Sequence, residues 1–176
     1  MEGERRESTA DVSEDVTEVG EPEFDHLAGI VTDGMIGAVG GLVGTGALTV
    51  GLLIARSLGA FELSSFGTLA ELTGFNMLLP LSPIAVGFVL FLLTGMVMWP
   101  LLFASIGSYL PGEKYATKGL PFGFVLWTGF APAFYEGYTG LAMVLYLGLT
   151  LGAHFSYGFT LGAVFDYLGD RPDTLV

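Results

Sequence analysis

The stretch "GMIGAVGGLVGTGALTVG", residues 34–51, decides the fold, because its glycines are typical of both a phosphate-binding loop and a close-packed membrane helix. The spacing excludes the nucleotide loop. With Gly44 and Gly46 as the first two glycines, Thr49 stands where the third is required, and no Lys-Ser/Thr pair follows. As a helix, the apolar run over residues 30–55 extends about 39 Å, enough to cross a bilayer with some tilt.

The composition also indicates a membrane protein. Of 176 residues, 52% are hydrophobic and only 14% are charged. The net charge of -12, with six Lys and Arg residues in total, excludes nucleic acid as an expected partner, because neutralising phosphates requires clustered cations. The absence of Cys excludes disulfides, thiolate metal sites and cysteine nucleophiles.

The acidic residues are concentrated at the N-terminus. Ten of the 18 Asp and Glu residues fall within residues 1–25, where large apolar side chains are scarce. Such a segment cannot bury enough surface to offset its conformational entropy, so we predict a disordered acidic tail. Its charge suits a high-salt cytoplasm, and a partner with a basic patch is the competing explanation.

The apolar runs predict an all-α, polytopic membrane protein. We expect a membrane domain over residues 26–169, followed by a short C-terminus at 170–176. Phe66, Leu69 and Leu72 at helical spacing predict a short amphipathic helix at the membrane surface over about residues 61–74. The predicted transmembrane spans cover residues 30–55, 82–106, 119–135 and 147–168, and the start of the last is the least defined boundary.

The positions of the cations predict the orientation. With four spans, Lys114, Lys118 and Arg171 share one side of the membrane with the N-terminus, whereas the opposite side holds only Arg56. The positive-inside rule therefore predicts a multi-pass protein of the cell membrane with both termini in the cytoplasm.

The glycines predict close helix packing. Small residues that recur every four or seven positions leave one face of a helix nearly free of side chains, so a second helix can approach closely. We expect the first and fourth spans to meet in this way within one chain, and a homodimer face is the alternative. The packing glycines are Gly37, Gly40, Gly41, Gly44 and Gly51 in the first span, and Gly148, Gly152, Gly158 and Gly162 in the fourth.

Four polar side chains inside the predicted membrane domain are candidates for function, because polar groups are costly there. Asp33 is either a proton or cation site or a carboxylate near the headgroups, paired with Lys118. His154, predicted about 10 Å from the outer end of the fourth span, is a candidate partner of Glu136. We favour a His154 that is hydrogen-bonded within the bundle to Glu136, Tyr157 or a carbonyl.

Haem ligation and catalysis are not expected on this chain alone. A haem commonly takes a second axial donor, and the only other histidine, His26, is about 20 Å from His154 along the membrane normal. There is no credible Ser-His-Asp arrangement, no pair of carboxylates on one helix face and no His-x-x-x-His spacing. We therefore expect no enzyme activity, no cofactor and no metal site.

A set of motifs carries a family resemblance. They are Trp99-Pro-Leu-Leu-Phe-Ala, Leu110-Pro-Gly, Lys118-Gly-Leu-Pro-Phe-Gly and Ala153-His-Phe-Ser-Tyr-Gly-Phe-Thr-Leu-Gly. Over about residues 30–168, the chain resembles small four-helix membrane proteins of unknown function that are common in halophilic archaea. These in turn resemble accessory subunits encoded beside haem-copper terminal oxidases. The resemblance implies a role in a respiratory complex and supplies no catalytic residues.

Two functions remain open. Bare glycine faces, sparse buried charge and the absence of a catalytic set favour a non-catalytic membrane subunit or assembly partner of a larger complex, with other membrane subunits or further copies of the chain around it. The alternative is a small homo-oligomeric channel or carrier for protons, ions or a small solute, with Asp33, Glu136 and His154 along its path.

Overall fold

The computed structural model describes residues 21–169, and side chains from Val31 onward. The helices of the described residues are α1 (Glu21–Ser57), α2 (Ser65–Thr73), α3 (Pro83–Leu93), α4 (Trp99–Ile106), α5 (Tyr115–Ala133) and α6 (Gly140–Gly169). A π-helical turn, Thr94–Met98, joins α3 to α4, and 3₁₀ turns follow α2 (Phe75–Met77) and α4 (Gly107–Tyr109).

Among the described residues, three helices are long and apolar enough to cross a membrane, which indicates a membrane protein. They are Val31–Ser57, Pro83–Tyr109 and Gly140–Gly169. Of the four predicted spans, three meet this criterion among the described residues. The predicted third span corresponds to α5, whose 19 residues reach about 28 Å. Its length is sufficient, but Lys118, two prolines and several hydroxyl groups make it less apolar than the other three.

Two boundaries differ from those predicted. The fourth span begins at Gly140 and not at 147, because the apolar residues after the Gly137 and Gly140 turns continue directly into α6. Residues 140–146 therefore belong to α6. At the other end, α1 begins at Glu21, before the predicted end of the acidic tail. The rest of that tail and the predicted C-terminal segment lie outside the described residues.

The predicted short helix between the first two spans is α2. The helix is capped by Gly74, whose φ of +75° is a left-handed conformation that favours glycine. This helix packs against α3, where Gly87 has no side chain and the backbone carbonyl of Phe66 comes close to its Cα. The aromatic ring of Phe66 is buried as a result.

The helix α6 is central to the bundle. It packs against α1 on one side and against α5 on the other, whereas the second span packs on α1 through the π-helical turn. The Trp99-Pro100 pair lies directly after that turn. Since Pro100 has no amide hydrogen, the regular hydrogen-bond ladder is interrupted here, and the backbone widens into the π turn.

Aromatic clusters fill both ends of the bundle. Between them, α5 and the second span are separated by a cavity. One cluster, at what we call the Ser65 end, contains Phe61, Phe66, Phe88, Phe91, Phe130 and Phe134. The other cluster, at the Asp166 end, contains Phe103, Tyr115, Phe122 and Phe165.

Candidate functional site

The contact between α5 and α6 repeats every four residues. Gly119 and Gly158 approach so closely that a Cβ on either one would collide with the carbonyl oxygen of the other. One turn further, Gly123 lies against the carbonyl of His154. The next turn pairs Trp127 with Thr150, whose hydroxyl accepts a hydrogen bond from the indole Nε1 at 3.0 Å. Positions four apart share one helix face, so this register aligns one row of each antiparallel helix.

Side chains of α6 also hold both ends of α5. Asp166 accepts hydrogen bonds from the backbone amides of Tyr115 at 2.8 Å and Ala116 at 2.9 Å, which satisfies two donors that a helix N-terminus leaves open. At the other end, the hydroxyl of Tyr146 donates to the carbonyl of Ala131 at 2.8 Å, in the last turn of α5. The least apolar of the long helices is thus held by hydrogen bonds at both ends.

The glycines of α1 contact α6, as predicted, but they face larger side chains. Gly44 packs on the ring of Tyr157 and Gly40 on Leu161, while a Cβ added to Gly51 would come within 2.6 Å of the Cβ of Ala153. Gly37 and Gly41 contact Pro100 in the second span. The first span therefore meets two helices through one small-residue face.

The glycines of α6 do not pack as predicted. Gly158 and Gly162 contact α5 and not α1, with Gly162 against the carbonyl of Tyr115. A Cβ at Gly148 or Gly152 would have no neighbour within 4 Å. Gly158 and Gly162 face inward, where the close approach of α5 leaves no room for a side chain. Gly148 and Gly152 remain open on the outer face.

Tyr157 satisfies a carbonyl that Pro100 leaves without a partner. In the π turn, the amide of Trp99 bonds to Thr94, and the next amide, at Pro100, does not exist. The carbonyl of Gly95 consequently needs another donor, and the hydroxyl of Tyr157 supplies it at 2.7 Å. Tyr157 therefore links α6 to the second span.

His154 lies near the middle of α6, and its side chain is only 4% exposed. Because α6 begins at Gly140, His154 is about 21 Å from that end and not about 10 Å as predicted. Its Nδ1 is 2.8 Å from the carbonyl of Thr150, and its ring lies 4.7 Å from that of Phe130. Of the predicted partners, a carbonyl is the one that His154 bonds.

Glu136 does not pair with His154, because it accepts a hydrogen bond from the buried hydroxyl of Ser65 at 2.9 Å. This bond ties the loop before α6 to the start of α2. Beside it, the hydroxyl oxygen of the half-buried Tyr138 is shielded from solvent, and both burial and the carboxylates of Glu62 and Glu136 raise the pKa of this phenol above the usual value. The Ser65 end thus contains a small polar cluster.

Asp33 lies at the opposite end of the bundle and does not form the predicted ion pair with Lys118. Its Oδ1 is buried without a hydrogen-bond partner among the described residues, whereas the Lys118 ammonium lies 5.1 Å from the ring of Tyr115. The aromatic ring offers the cation an alternative partner. Asp33, His154 and Glu136 therefore occupy separate levels of the bundle and do not come together.

A cavity of about 400 Å³ opens between the second span and α5. Its walls are mainly apolar, with two deeply buried polar residues, His154 and Thr45. Of the side chains that the structure describes, none that is charged lines it. The lining residues are Thr45, Leu48, Leu69, Phe91, Thr94, Gly95, Trp99, Leu102, Val125, Leu126, Gly129, Phe130, Ala133, Phe134, His154 and Tyr157.

The donor set of the site suits hydrogen bonding and not metal binding. Across residues 31–169, no group of three His, Asp or Glu side chains is close enough to hold a metal ion. The polar side chains that line the cavity carry one imidazole, three hydroxyls and the indole of Trp99. This arrangement can recognise a neutral, mainly apolar molecule.

Several important residues were missed from the sequence. Asp166, Gly119, Gly123 and Gly95 all make contacts between helices, yet only glycines in the first and fourth spans were singled out. A signal was present. Small or hydrogen-bonding residues recur at four-residue spacing from Gly119 to Ala131 and again from Tyr146 to Gly162, which is the pattern of two matched helix faces.

Comparison with known proteins identifies a family but no characterised relative. No curated protein and no solved structure matches the chain. The model of DUF6789, a family of unknown function, matches residues 31–176. Because this match covers most of the sequence, the chain belongs to the family of unknown function DUF6789.

Proposed function

We propose that this protein is a non-catalytic integral membrane subunit, or assembly partner, of a larger membrane complex. The observation that carries the proposal is the outer face of α6. Gly148, Gly152 and Ser156 follow one another at four-residue spacing on that face, all three are exposed, and the glycines have no neighbour within 4 Å of a Cβ position. A face of this kind lets another helix approach closely.

The outer surface of α1 is different and supports this assignment. Most of its exposed positions within the span are large and apolar, as expected for a surface that contacts lipid tails, and the exposed glycine there, Gly46, does not recur at four-residue spacing. These positions include Val39, Leu42, Val43, Val50, Leu53 and Ile54. Lipid contact therefore does not by itself account for the small residues on α6. A neighbouring helix, from another subunit or a second copy of the chain, does account for them.

The proposal includes the topology. We propose that α5 crosses the membrane beside α6, which completes a four-helix membrane domain with both termini in the cytoplasm. The support is its 19-residue length, the four-residue ladder of contacts along α6, and the hydrogen bonds that α6 makes at both ends of α5. The cations Lys114 and Lys118 then lie on the cytoplasmic side.

The partner complex that we propose is a respiratory terminal oxidase, in a halophilic archaeon. The support for this partner is the resemblance described above. The net charge of -12 and the acidic N-terminal segment support a high-salt cytoplasm, where carboxylates keep a protein surface hydrated.

The test is to isolate the tagged protein from its own membranes in mild detergent, and to analyse it by mass spectrometry and by an absorbance scan for haem. We expect other membrane subunits in stoichiometric amounts, together with the haem spectrum of an oxidase. A protein that is isolated alone and without pigment would contradict the proposal.

The second candidate is a small homo-oligomeric carrier or channel, and the observation that favours it is the cavity beside His154. Flux into liposomes that contain the purified protein would test it. A carrier that uses this cavity should lose flux in His154→Ala and retain it in Glu136→Ala, whose side chain bonds Ser65 outside the cavity. Equal flux in the wild type and both variants would contradict this candidate.

A further inference from the structure

The cavity between the second span and α5 has the features of a binding site for a molecule dissolved in the membrane. Its volume of about 400 Å³ lies within the usual range for small-molecule sites, about 300–1,000 Å³. Two of its lining residues, Leu102 on α4 and Val125 on α5, are also exposed on the outer surface. The cavity therefore reaches the surface that faces lipid, between these two helices.

The hydrogen bond of His154 determines which of its nitrogens is available. A carbonyl only accepts hydrogen bonds, so the contact of Nδ1 with Thr150 assigns the proton to Nδ1. Nε2 then carries a lone pair, and no described residue donates a hydrogen bond to it. In the cavity, His154 therefore offers an acceptor.

Thr45 adds a second, independent polar group. Its side chain is only 2% exposed, and its hydroxyl has no hydrogen-bond partner among the described residues. Unpartnered polar groups are uncommon in protein interiors, and a role in binding a further molecule is one reason for them. Both Thr45 and His154 line the same cavity.

The chemistry of the walls defines the ligand. Because no charged side chain among residues 31–169 lines the cavity, an ionic ligand would lack a counter-charge in a region of low dielectric. The mainly apolar lining requires an apolar body, and Nε2 requires a donor. A hydroxyl is the donor that is cheapest to bring into lipid, because it brings fewer polar atoms than an amide.

We propose that this cavity binds a neutral, membrane-dissolved molecule with an apolar body and a hydroxyl group, which donates a hydrogen bond to Nε2 of His154. The hydroxyl is carried either by an aromatic ring or by an aliphatic chain. The proposal does not depend on the subunit function, because the binding site lies within one chain.

The chain provides its own reporter for this binding. Trp99 lines the cavity, whereas Trp127 does not, so Trp127→Phe leaves a single tryptophan at the site. Bromine quenches tryptophan fluorescence on contact. The probes are para-bromophenol and bromodecanol, matched with bromobenzene and bromodecane, which lack the hydroxyl. Each is titrated into the purified full chain in lipid nanodiscs, with empty nanodiscs as the blank.

We expect saturable quenching by at least one hydroxylated probe at about fivefold to tenfold lower concentration than by its matched hydrocarbon, the effect of one buried hydrogen bond. The probe pair that shows the preference identifies an aromatic or an aliphatic hydroxyl. His154→Leu should remove the preference. If neither hydroxylated probe binds better than its hydrocarbon, or if the preference survives in His154→Leu, the proposal is overturned.

A second variant keeps the proposal testable if His154→Leu does not fold. Gly129 lines the cavity, and a Cβ there would meet nothing within 4 Å, so Gly129→Leu should fill the cavity without a backbone clash. The matched control is Gly46→Leu, which is equally open but lies outside the cavity lining. We expect saturable quenching to be lost in Gly129→Leu and kept in Gly46→Leu. Unchanged quenching in both variants would overturn the proposal.

Discussion

The two neighbours of α6 are held in different ways. On the α5 side, backbone meets backbone at Gly119 and Gly158, and hydrogen bonds follow at Trp127 and at both ends of the helix. On the α1 side, glycines receive larger side chains of α6, such as the ring of Tyr157 against Gly44. The difference corresponds to how apolar the two neighbours are. By length and composition, α1 is apolar enough to cross a membrane, whereas α5 is not.

This comparison indicates how a polar helix is accommodated beside apolar ones. In lipid there is no hydrophobic force between helices, so packing and hydrogen bonds hold them together. Among the contacts described above, those between α1 and α6 include no side-chain hydrogen bond, so they depend on the fit of the two packed surfaces alone. The α5 contact combines shape with side-chain hydrogen bonds that satisfy its termini. The α5 side should accordingly be the more sensitive to substitution.

The largest expected effect separates the two contacts by one identical substitution. In Gly158→Ala, the new Cβ would meet the backbone of Gly119, which cannot move without separating the helices. We expect the free energy of unfolding to fall by about 2 kcal/mol, even after the roughly 1 kcal/mol that alanine gains over glycine in helix propensity. In Gly44→Ala, the new Cβ would lie 3.0 Å from the ring of Tyr157 and 3.1 Å from its carbonyl oxygen. This clash is milder than that at Gly158, and a shift of a few tenths of an ångström relieves it, so we expect a free energy of unfolding within about 1 kcal/mol of the wild type.

Denaturant titrations in detergent, followed by circular dichroism, measure both free energies. Gly152→Ala is the matched control, because its site is open, and it should be neutral or slightly stabilising. Equal losses in Gly158→Ala and Gly44→Ala would mean that the two contacts do not differ as described.

The next effect concerns the start of α5. Asp166→Ala removes the acceptor for the amides of Tyr115 and Ala116, and we expect a loss of about 1–2 kcal/mol, as for other helix caps. Hydrogen exchange followed by mass spectrometry should show faster exchange in the first turn of α5, with the first turn of α6 unchanged. Asp166→Asn, which keeps an acceptor, should show an exchange rate between those of the wild type and Asp166→Ala. Unchanged exchange in the Ala variant would argue against this cap.

A smaller loss is expected where α6 meets the second span. Tyr157→Phe leaves the carbonyl of Gly95 without its donor, and hydrogen bonds between membrane helices contribute about 0.6 kcal/mol on average and up to about 1.7. We expect a value in the upper half of this range, because Pro100 removes the alternative donor. Tyr167→Phe, at an exposed tyrosine, is the control. A loss no larger than that of the control would contradict the role assigned to Tyr157.

The smallest effect is the hydrogen bond between Trp127 and Thr150. A double-mutant cycle with Trp127→Phe and Thr150→Val should give a coupling energy of about 0.6 kcal/mol, the average for such bonds in membranes. The same unfolding titrations measure it. If no coupling is measured, the hydrogen bonds that stabilise the contact of α5 with α6 are only those at the two ends of α5.

The sequence predicted the most apolar helices, such as α1, better than the less apolar α5. The glycine spacing of α1 correctly predicted its contact with α6, because small residues at regular positions have one structural use in a membrane helix. Hydropathy described α5 less well, since the sequence alone does not show the hydrogen bonds that α6 makes with it at Trp127 and at both of its ends. The partner of Glu136 was beyond prediction, because it depends on where α6 begins, whereas a carbonyl was among the partners predicted for His154.

The cavity was unpredictable for a similar reason. It exists because α5 and the second span pack on different neighbours, α6 and α1, and not extensively on each other across the described residues. Sequence patterns report which face of a helix is apolar, but not which two helices remain apart. His154 was singled out because of its chemistry, and only the packing places it at the cavity wall.

The most direct test of the account is the size of the native complex formed by two matched variants. Gly152→Leu places a large side chain on the open face of α6, and Gly46→Leu places one on an open position of α1. Both tagged variants are extracted from native membranes in mild detergent and sized beside the wild type. We expect the wild type and Gly46→Leu to migrate as the larger assembly, and Gly152→Leu as the 18.6 kDa chain alone. A Gly152→Leu variant that stays in an assembly of wild-type size, or a wild-type protein that migrates alone, would contradict the account.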